Sequence, residues 1–563
     1  MKKKNTGASL VADTLINHGV EYIFTVPGAK IDKIIDEIDN RKNGPKLIVC
    51  RHEQNAALIA QGMGRISGKP GVVLVTSGPG VSNLATGLVT ATSESDPVLA
   101  IGGNVKRQDM TKRRHQAMNN VAAMTPLTKV AEEVLSAANV SESITNLYKT
   151  AISGRKGATF LSIPADVSTE ETEFEPLKPT TLVKLGHANL EMLEQLVSDI
   201  KQAKLPVLLL GMRASDDPTV AAIRELLSVI KLPVVETFQG AGIIPKHLED
   251  TFYGRVGLFK NQPGDLLLDK SDLVITVGFD PIEYDPEIWN KDINKKIYHM
   301  DYVISEIDNY YRPHIELIGS IKRTIKKLSE LLEKENYQIP KENEEFLTKL
   351  KDKFENITKL FKYHEDITHP LQFMWELRQI IDDEKFSTVD NNTIITTDVG
   401  SIYIWMARNF KSYEPRKLLF SNGMQTLGVA LPWAMAGSFL NPGKKVISLS
   451  GDGGFLFSGQ ELETAVREKL NITHIIWNDS AYNMVDFQQV AKYGKGAATT
   501  LGDVDFAKYA EAFGAKGFKV NNPAQLGEIL REALAYKGVA VVDVPIDYAD
   551  NIILGNMLLE GVE

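Results

Sequence analysis

Short apolar runs recur along the chain, each closed by a turn and followed by a stretch that reads as helix. "YIFTVPG" (22–28), "LIVCRHE" (47–53), "GVVLVTSGPG" (71–80) and "PVLAIGG" (97–103) form a first set. "PVLLLG" (206–211), "PVVETF" (233–238), "LVITVG" (273–278) and "KIYHMD" (296–301) form a second. "TIITTDVG" (393–400), "KVISLSGDGG" (445–454), "ITHIIWNDS" (472–480) and "VAVVDVP" (539–545) form a third. Such runs predict short buried strands, and their alternation with helices predicts parallel sheets. The stretch "EPLKPTTLVKLGHA" (175–188) has the composition of a linker, and the dense charge of 321–360 predicts solvated helices and a connector. The expected fold is α/β, with three doubly wound parallel-sheet domains at 1–175, 190–345 and 370–563. Residues 68–88 and 441–466 share one plan of polar turn, apolar strand, glycine turn and helix. That echo predicts that the first and third domains are two versions of one unit.

Composition narrows the setting. Of 563 residues, 43% are hydrophobic and 24% charged, an ordinary globular mixture with ample core. The net charge of −9 comes without a long basic block, which argues against nucleic acid as the main partner. Cys50 is the only cysteine, so no disulfide can form within the chain and a reducing compartment is expected. Asp13 interrupts what would have to be the apolar core of a leader, and no run of about 18 apolar residues is present to span a bilayer. The expectation is a soluble, cytoplasmic protein without a membrane partner.

The candidate chemistry begins at "SGDGGFLF" (450–457). A glycine turn at a strand's carboxyl end lets a ligand approach the backbone, and the helix that follows favours phosphate. A carboxylate beside phosphate repels it unless a cation intervenes. The next strand ends in Asn478-Asp479-Ser480, and adjacent parallel strands joined by one helix would bring Asp452 and Asp479 together. The pair could then offer oxygen ligands to magnesium or calcium beside a diphosphate. The same residues would also serve as a helix cap at Asp452 and an Asx turn at 478–480. Glu53, between "LIVC" and a helical stretch, is favourable in a helix's first turn on dipole grounds alone.

"GDGG…WNDS" resembles the signature of the thiamine-diphosphate-dependent enzymes. The resemblance runs through "RHEQNAA" (51–57), "VTSGPG" (75–80), "YGRVGLFKNQPGD" (253–265), "DPIEYDP" (280–286) and "SNGMQTLGVALPWA" (421–434), nearest the catabolic acetolactate synthases. It implies thiamine diphosphate anchored through Mg2+, with Asp452, Asp479 and the backbone oxygen of Ala481 as ligands. Ser480 stands where the signature usually ends in Asn, a position that is not an anchoring ligand. The resemblance further implies that Glu53 bonds the cofactor's aminopyrimidine and exchanges its proton, and that Leu427 props the two rings into a V. Val399, Gly400, Ser401, Gln425, Gly451, Gly453, Gly454, Tyr482, Asn483 and Met484 would border the cofactor.

Related pyruvate decarboxylases carry a His-His pair and a catalytic Glu. Here those stretches read Arg114-His115-Gln116 and "YNMVDFQQ", with Val485 at the Glu position. Without that acid, the two-carbon intermediate on the cofactor can attack a second pyruvate, with Gln116 and Gln488 to bond the acceptor. The implied reaction joins two pyruvates into 2-acetolactate and carbon dioxide, a step toward acetoin, in a homodimer at minimum and a homotetramer as the usual assembly. An FAD-dependent oxidoreductase of the pyruvate oxidase kind and a non-catalytic homologue share the three-domain plan. The turn "LLLGMRASDD" (208–217) lacks a glycine-rich nucleotide signature, so no catalytic FAD is expected.

Overall fold

Each set of apolar runs builds one six-stranded parallel sheet in the computed structural model, which describes residues 4–260, 262–335, 339–356 and 366–551. The first sheet contains β1 (Tyr22–Val26), β2 (Lys46–Val49), β3 (Gly71–Val75), β4 (Val98–Asn104), β5 (Val130–Glu133) and β6 (Ala158–Pro164). They lie in the order β2-β1-β3-β4-β6-β5. Strands β3, β4 and β6 are buried at every position, which is why they read as continuous apolar runs. Edge strands β2 and β5 carry the polar positions instead.

The central sheet runs β7 (Pro206–Leu210), β8 (Val234–Thr237), β9 (Phe252–Val256), β10 (Leu273–Val277), β11 (Lys296–Asp301) and β12 (Ile315–Ile318), in the order β9-β8-β7-β10-β11-β12. The third contains β13 (Ile395–Thr397), β14 (Leu418–Leu419), β15 (Val446–Gly451), β16 (Ile472–Asn478), β17 (Lys516–Lys519) and β18 (Ala540–Pro545), ordered β14-β13-β15-β16-β18-β17. Counted within each domain, the first and third sheets share the order 2-1-3-4-6-5, which gives the echo between 68–88 and 441–466 a structural counterpart. The central order is the 3-2-1-4-5-6 of dinucleotide-binding folds, a distinction the apolar runs do not reveal.

Helix Glu344–Asn356 belongs with the central sheet, past the expected boundary at 345. Lys351 Nζ donates to the Phe252 carbonyl at 2.8 Å, and the Phe354 ring meets Phe252 edge-on. The end of the expected connector, 357–360, lies outside the described residues. Among the described residues no helix is long and apolar enough to cross a membrane.

The first and third domains share one core. Helix Glu53–Ser67 packs on helix Ala430–Leu440 so closely that a Cβ on Gly62 would stand 2.9 Å from Ala436 and 3.0 Å from Trp433. Arg65 lies 4.3 Å over the Trp433 ring and pairs with Glu94 and Asp96 behind it. This contact joins the two domains through their helices.

Candidate active site

Strands β15 and β16 pair in parallel to the last residue, with Gly451 level with Trp477, so Asp452 and Asp479 emerge side by side at their carboxyl ends. Burial pushes Asp452 up to about 6. Burial and the repulsion of Asp452 push Asp479 up to about 7. Neither carboxylate has a Lys or Arg partner among the described residues. Two carboxylates held together in a partly dry site are the arrangement a divalent cation relieves. Among the described residues no group of three or more His, Cys, Asp or Glu side chains could hold a metal, so a cation here must complete its shell with carbonyl, phosphate or water oxygens. Ala481 lines one cavity together with Asp452 and Asp479.

The capping reading of Asp452 does not hold. Helix Asp452–Phe455 has Gly451 at its N-cap without a side-chain cap, and Asp452 Oδ1 accepts from the adjacent Gly453 N–H at 2.9 Å while the backbone N–H groups of Ser480 and Ala481 also act on its carboxylate. The Asx turn does form, since Asn478 Oδ1 accepts from Ser480 N–H at 3.3 Å, and it coexists with the carboxylate pair. Gly453 is required by close approach: a Cβ there would lie 2.5 Å from the Tyr482 ring.

A cavity of about 470 Å³ opens beside the two carboxylates. Val399, Gly400 and Ser401 enter it from the turn after β13, Gln425 and Leu427 from the segment before helix Ala430–Leu440, and Gly451, Gly453 and Gly454 from the GDGG turn. Tyr482, Asn483, Met484, Val485 and Gln488 border it from helix Asn483–Tyr493 and the residue before it. Leu427 is half-buried at this wall, so it is not a plain core leucine. No residue of helix Asn483–Tyr493 is fully buried, and Val485 is 48% exposed. Three non-glycine residues here have left-handed backbone: Gln425 (φ 49°), Ser480 (φ 56°) and Phe259 (φ 64°). Strain of this kind collects where geometry is held for function.

Several residues escaped the sequence reading. Asp398, wholly buried and pushed up to about 6 by burial, accepts from Val399 N–H at 2.8 Å and Gly428 N–H at 2.9 Å. It thereby ties together the two loops that carry Gly400 and Leu427. Its signal was the strand end "TTDVG", which parallels "LSGDGG". Leu258 and Phe259 reach the cavity from the central domain, their carbonyls held by Arg408 Nη2. Tyr548 adds a wall from beyond the last strand.

The first-domain candidates stand elsewhere. Glu53 opens helix Glu53–Ser67, half-buried, with Oε2 accepting from Asn83 Nδ2 at 2.9 Å. Gln116 (φ 61°) lies against Gly78 of the "SGPG" turn, its Cβ 3.2 Å from where a Cβ on Gly78 would sit. Neither Glu53 nor Gln116 lines the cavity of its own chain.

In the central domain, the crevice between the carboxyl ends of β7 and β10 is filled by side chains. Arg213 pairs there with Asp280 at 2.6 Å and Asp301 at 2.7 Å, and Glu283 accepts from Met212 N–H and the Thr237 hydroxyl. A Cβ on Gly211 would meet the Phe279 backbone at 2.5 Å, so the first turn has no open cradle. Beyond it lies a polar cavity of about 430 Å³ whose wall carries both signs of charge, Arg65, Lys156, Arg213 and Arg416 beside Glu94, Asp96 and Asp216.

Residues 5–124, 193–328 and 398–544 match the models of the N-terminal TPP binding domain, the central domain and the C-terminal TPP binding domain of thiamine pyrophosphate enzymes. The chain is 48% identical over 554 residues to an acetolactate synthase of Bacillus subtilis, covering 98% of this chain and 95% of that one. It is 40% identical over 557 residues to a catabolic acetolactate synthase of Raoultella terrigena, covering 99% and 98%. With the large subunit of acetolactate synthase isozyme 1 of Escherichia coli it shares 30% identity over 560 residues, covering 98% and 96%.

Proposed function

The chain belongs to the thiamine pyrophosphate enzymes, and from that premise we propose how its residues divide the work of an acetolactate synthase. It joins two pyruvates into 2-acetolactate and carbon dioxide, using thiamine diphosphate. Bound, the cofactor supplies the carbanion chemistry. The protein's part is anchoring, proton handling and placement of the second pyruvate.

Asp452 and Asp479, with the Ala481 carbonyl, hold Mg2+ against the diphosphate. The observation that carries this reading is the pair's enforced proximity at the ends of β15 and β16, with no cationic side chain among the described residues to offset it. Glycines at 451, 453 and 454 let the diphosphate approach the backbone. Leu427, half-buried at the wall, supports the folded cofactor beside Val399, Gly400, Ser401 and Gln425. Glu53 holds and returns a proton at the pyrimidine ring, its carboxyl oriented by Asn83.

Val485 leaves the donor carbon without a nearby carboxylic acid and leaves room for an acceptor. Gln488 and Gln116 donate amide hydrogens to the acceptor's oxygens, and held orientation replaces a bimolecular encounter. Because Glu53 and Gln116 lie off the cavity of their own chain, a second copy supplies them, which makes a homodimer the minimum active unit and a homotetramer the expected assembly. Met424, Leu456 and Phe457, each exposed by more than two-fifths, give apolar surface for that contact. The filled crevice of the central domain supports a flavin-free enzyme over an oxidase. The cytoplasm is the expected location. Stoichiometry tests the whole: purified protein with pyruvate, thiamine diphosphate and Mg2+ should consume two pyruvates per carbon dioxide. Equal amounts would instead mean decarboxylation or oxidation.

A further inference from the structure

The polar groups beside Asp479 form a hydrogen-bond chain whose direction is fixed at both ends. Trp405, on helix Ser401–Asn409, has an indole N–H that can only donate, and it donates to Asn551 Oδ1 at 2.7 Å. With its oxygen engaged, the Asn551 amide presents its NH2 on the other side. There it donates to Ser401 Oγ at 2.8 Å and to Asn483 Oδ1. Ser401 Oγ donates to the same Asn483 oxygen at 3.1 Å. Asn483 therefore has only donors left to offer Asp479, and its Nδ2 meets Asp479 Oδ2 at 2.7 Å.

The chain starts at a group with no acceptor and ends at a carboxylate with no donor, so no amide along it can flip without breaking a neighbour's bond. Trp405 is fully buried and Asn551 is 1% exposed, so solvent does not stand in for a lost member at that end. Asn551 lies 68 residues beyond Asn483 in sequence, past the last strand, where neither the glycine turn nor the strand pattern points.

We propose that Asn551 is a positioning residue for the metal-binding carboxylate. Acting through Asn483, it fixes one oxygen of Asp479 and leaves the remaining lone pairs aimed at the cation. Partners behind metal ligands orient them in this way, and their loss costs about 10- to 100-fold in metal affinity. The inference rests on Asp479 being a metal ligand, so Asp479→Asn is the control.

The test is calorimetric titration of Mg2+ into the full-length protein at saturating thiamine diphosphate. Asn551→Ala should raise the half-saturating Mg2+ by about 10- to 100-fold. Asn483→Ala should do the same, and the double variant should be no worse than the worse single one, because both break one chain. Trp405→Phe keeps an aromatic ring in the buried site, removes the N–H donor together with part of the ring, and should shift the titration in the same direction by less. A wild-type Mg2+ requirement in Asn551→Ala, with a raised one in Asp479→Asn, overturns the proposal, as do losses that multiply in the double variant. If Asn551→Ala does not fold, Trp405→Phe decides, and an unchanged requirement overturns the proposal. An unchanged requirement in Asp479→Asn removes the metal reading itself, and the inference with it.

Discussion

Replacing Asp479 by asparagine should make the metal-free protein more stable while weakening its hold on the cofactor. Burial and the neighbouring Asp452 carboxylate push Asp479 up to about 7 from an ordinary 3.8. The unfolded chain keeps the ordinary value, so the folded state binds this proton more tightly and loses stability as pH rises. The loss begins near pH 4, as the unfolded carboxyl ionises, and is complete once pH passes the folded value near 7. A gap of about three pH units at ~1.4 kcal/mol each gives about 4 kcal/mol, a ceiling because the side chain keeps some solvent contact. Asp479→Asn carries no such charge, so its advantage should grow from nothing near pH 4 to that ceiling near pH 8. Thermal unfolding of cation-stripped protein across this range reads the difference. Adding Mg2+ with thiamine diphosphate should reverse the ranking, because the bound cation stabilises only the intact pair. A variant less stable than wild type near pH 8 without metal, or a difference flat with pH, would refute the reasoning.

Three further outcomes follow from the same site. Glu53→Gln should still bind cofactor but slow hydrogen–deuterium exchange at the thiazolium carbon by about 100- to 10,000-fold, and wild-type exchange would remove Glu53 from its role. Val485→Glu should raise the share of acetaldehyde among the products by restoring an acid and crowding the acceptor; an unchanged product ratio would show that Val485 does not decide the outcome. Mixing inactive Glu53→Gln and Asp452→Ala subunits under exchange should recover about a quarter of wild-type activity, since half the dimers carry one intact site, whereas no recovery would place Glu53 and Asp452 of one chain in the same site.

Much of this was legible because the chain repeats one physical device. A strand buried on both faces has to be apolar throughout, and it has to end in a turn tight enough for glycine, so the strand ends at Gly400, Gly451 and Asp479 stood out by contrast. The features that stayed hidden depend on contacts between distant segments. Asp398 looks like any strand-end acid until three backbone N–H groups from two loops converge on it. Asn551 carries no local signal, because its significance comes from Trp405 and Asn483, which the sheet brings to it. The central strand order could not be read from the runs, since both orders use the same buried strands. The absence of Glu53 from its own chain's cavity is likewise a matter of how the domains pack. The joint between helices 53–67 and 430–440 rests on Gly62, whose lack of a side chain says nothing locally about Trp433.

Following pyruvate labelled with carbon-13 at its carbonyl carbon tests the central claim most directly. The purified protein would be supplied with thiamine diphosphate and Mg2+ and no flavin, and the products read by carbon NMR. Condensation bonds the carbonyl carbon of one pyruvate to that of the other, so 2-acetolactate should dominate with its two labels directly coupled, and acetaldehyde should appear only in traces. Mainly acetaldehyde, or acetyl phosphate with peroxide, each bearing a single uncoupled label, would contradict the account.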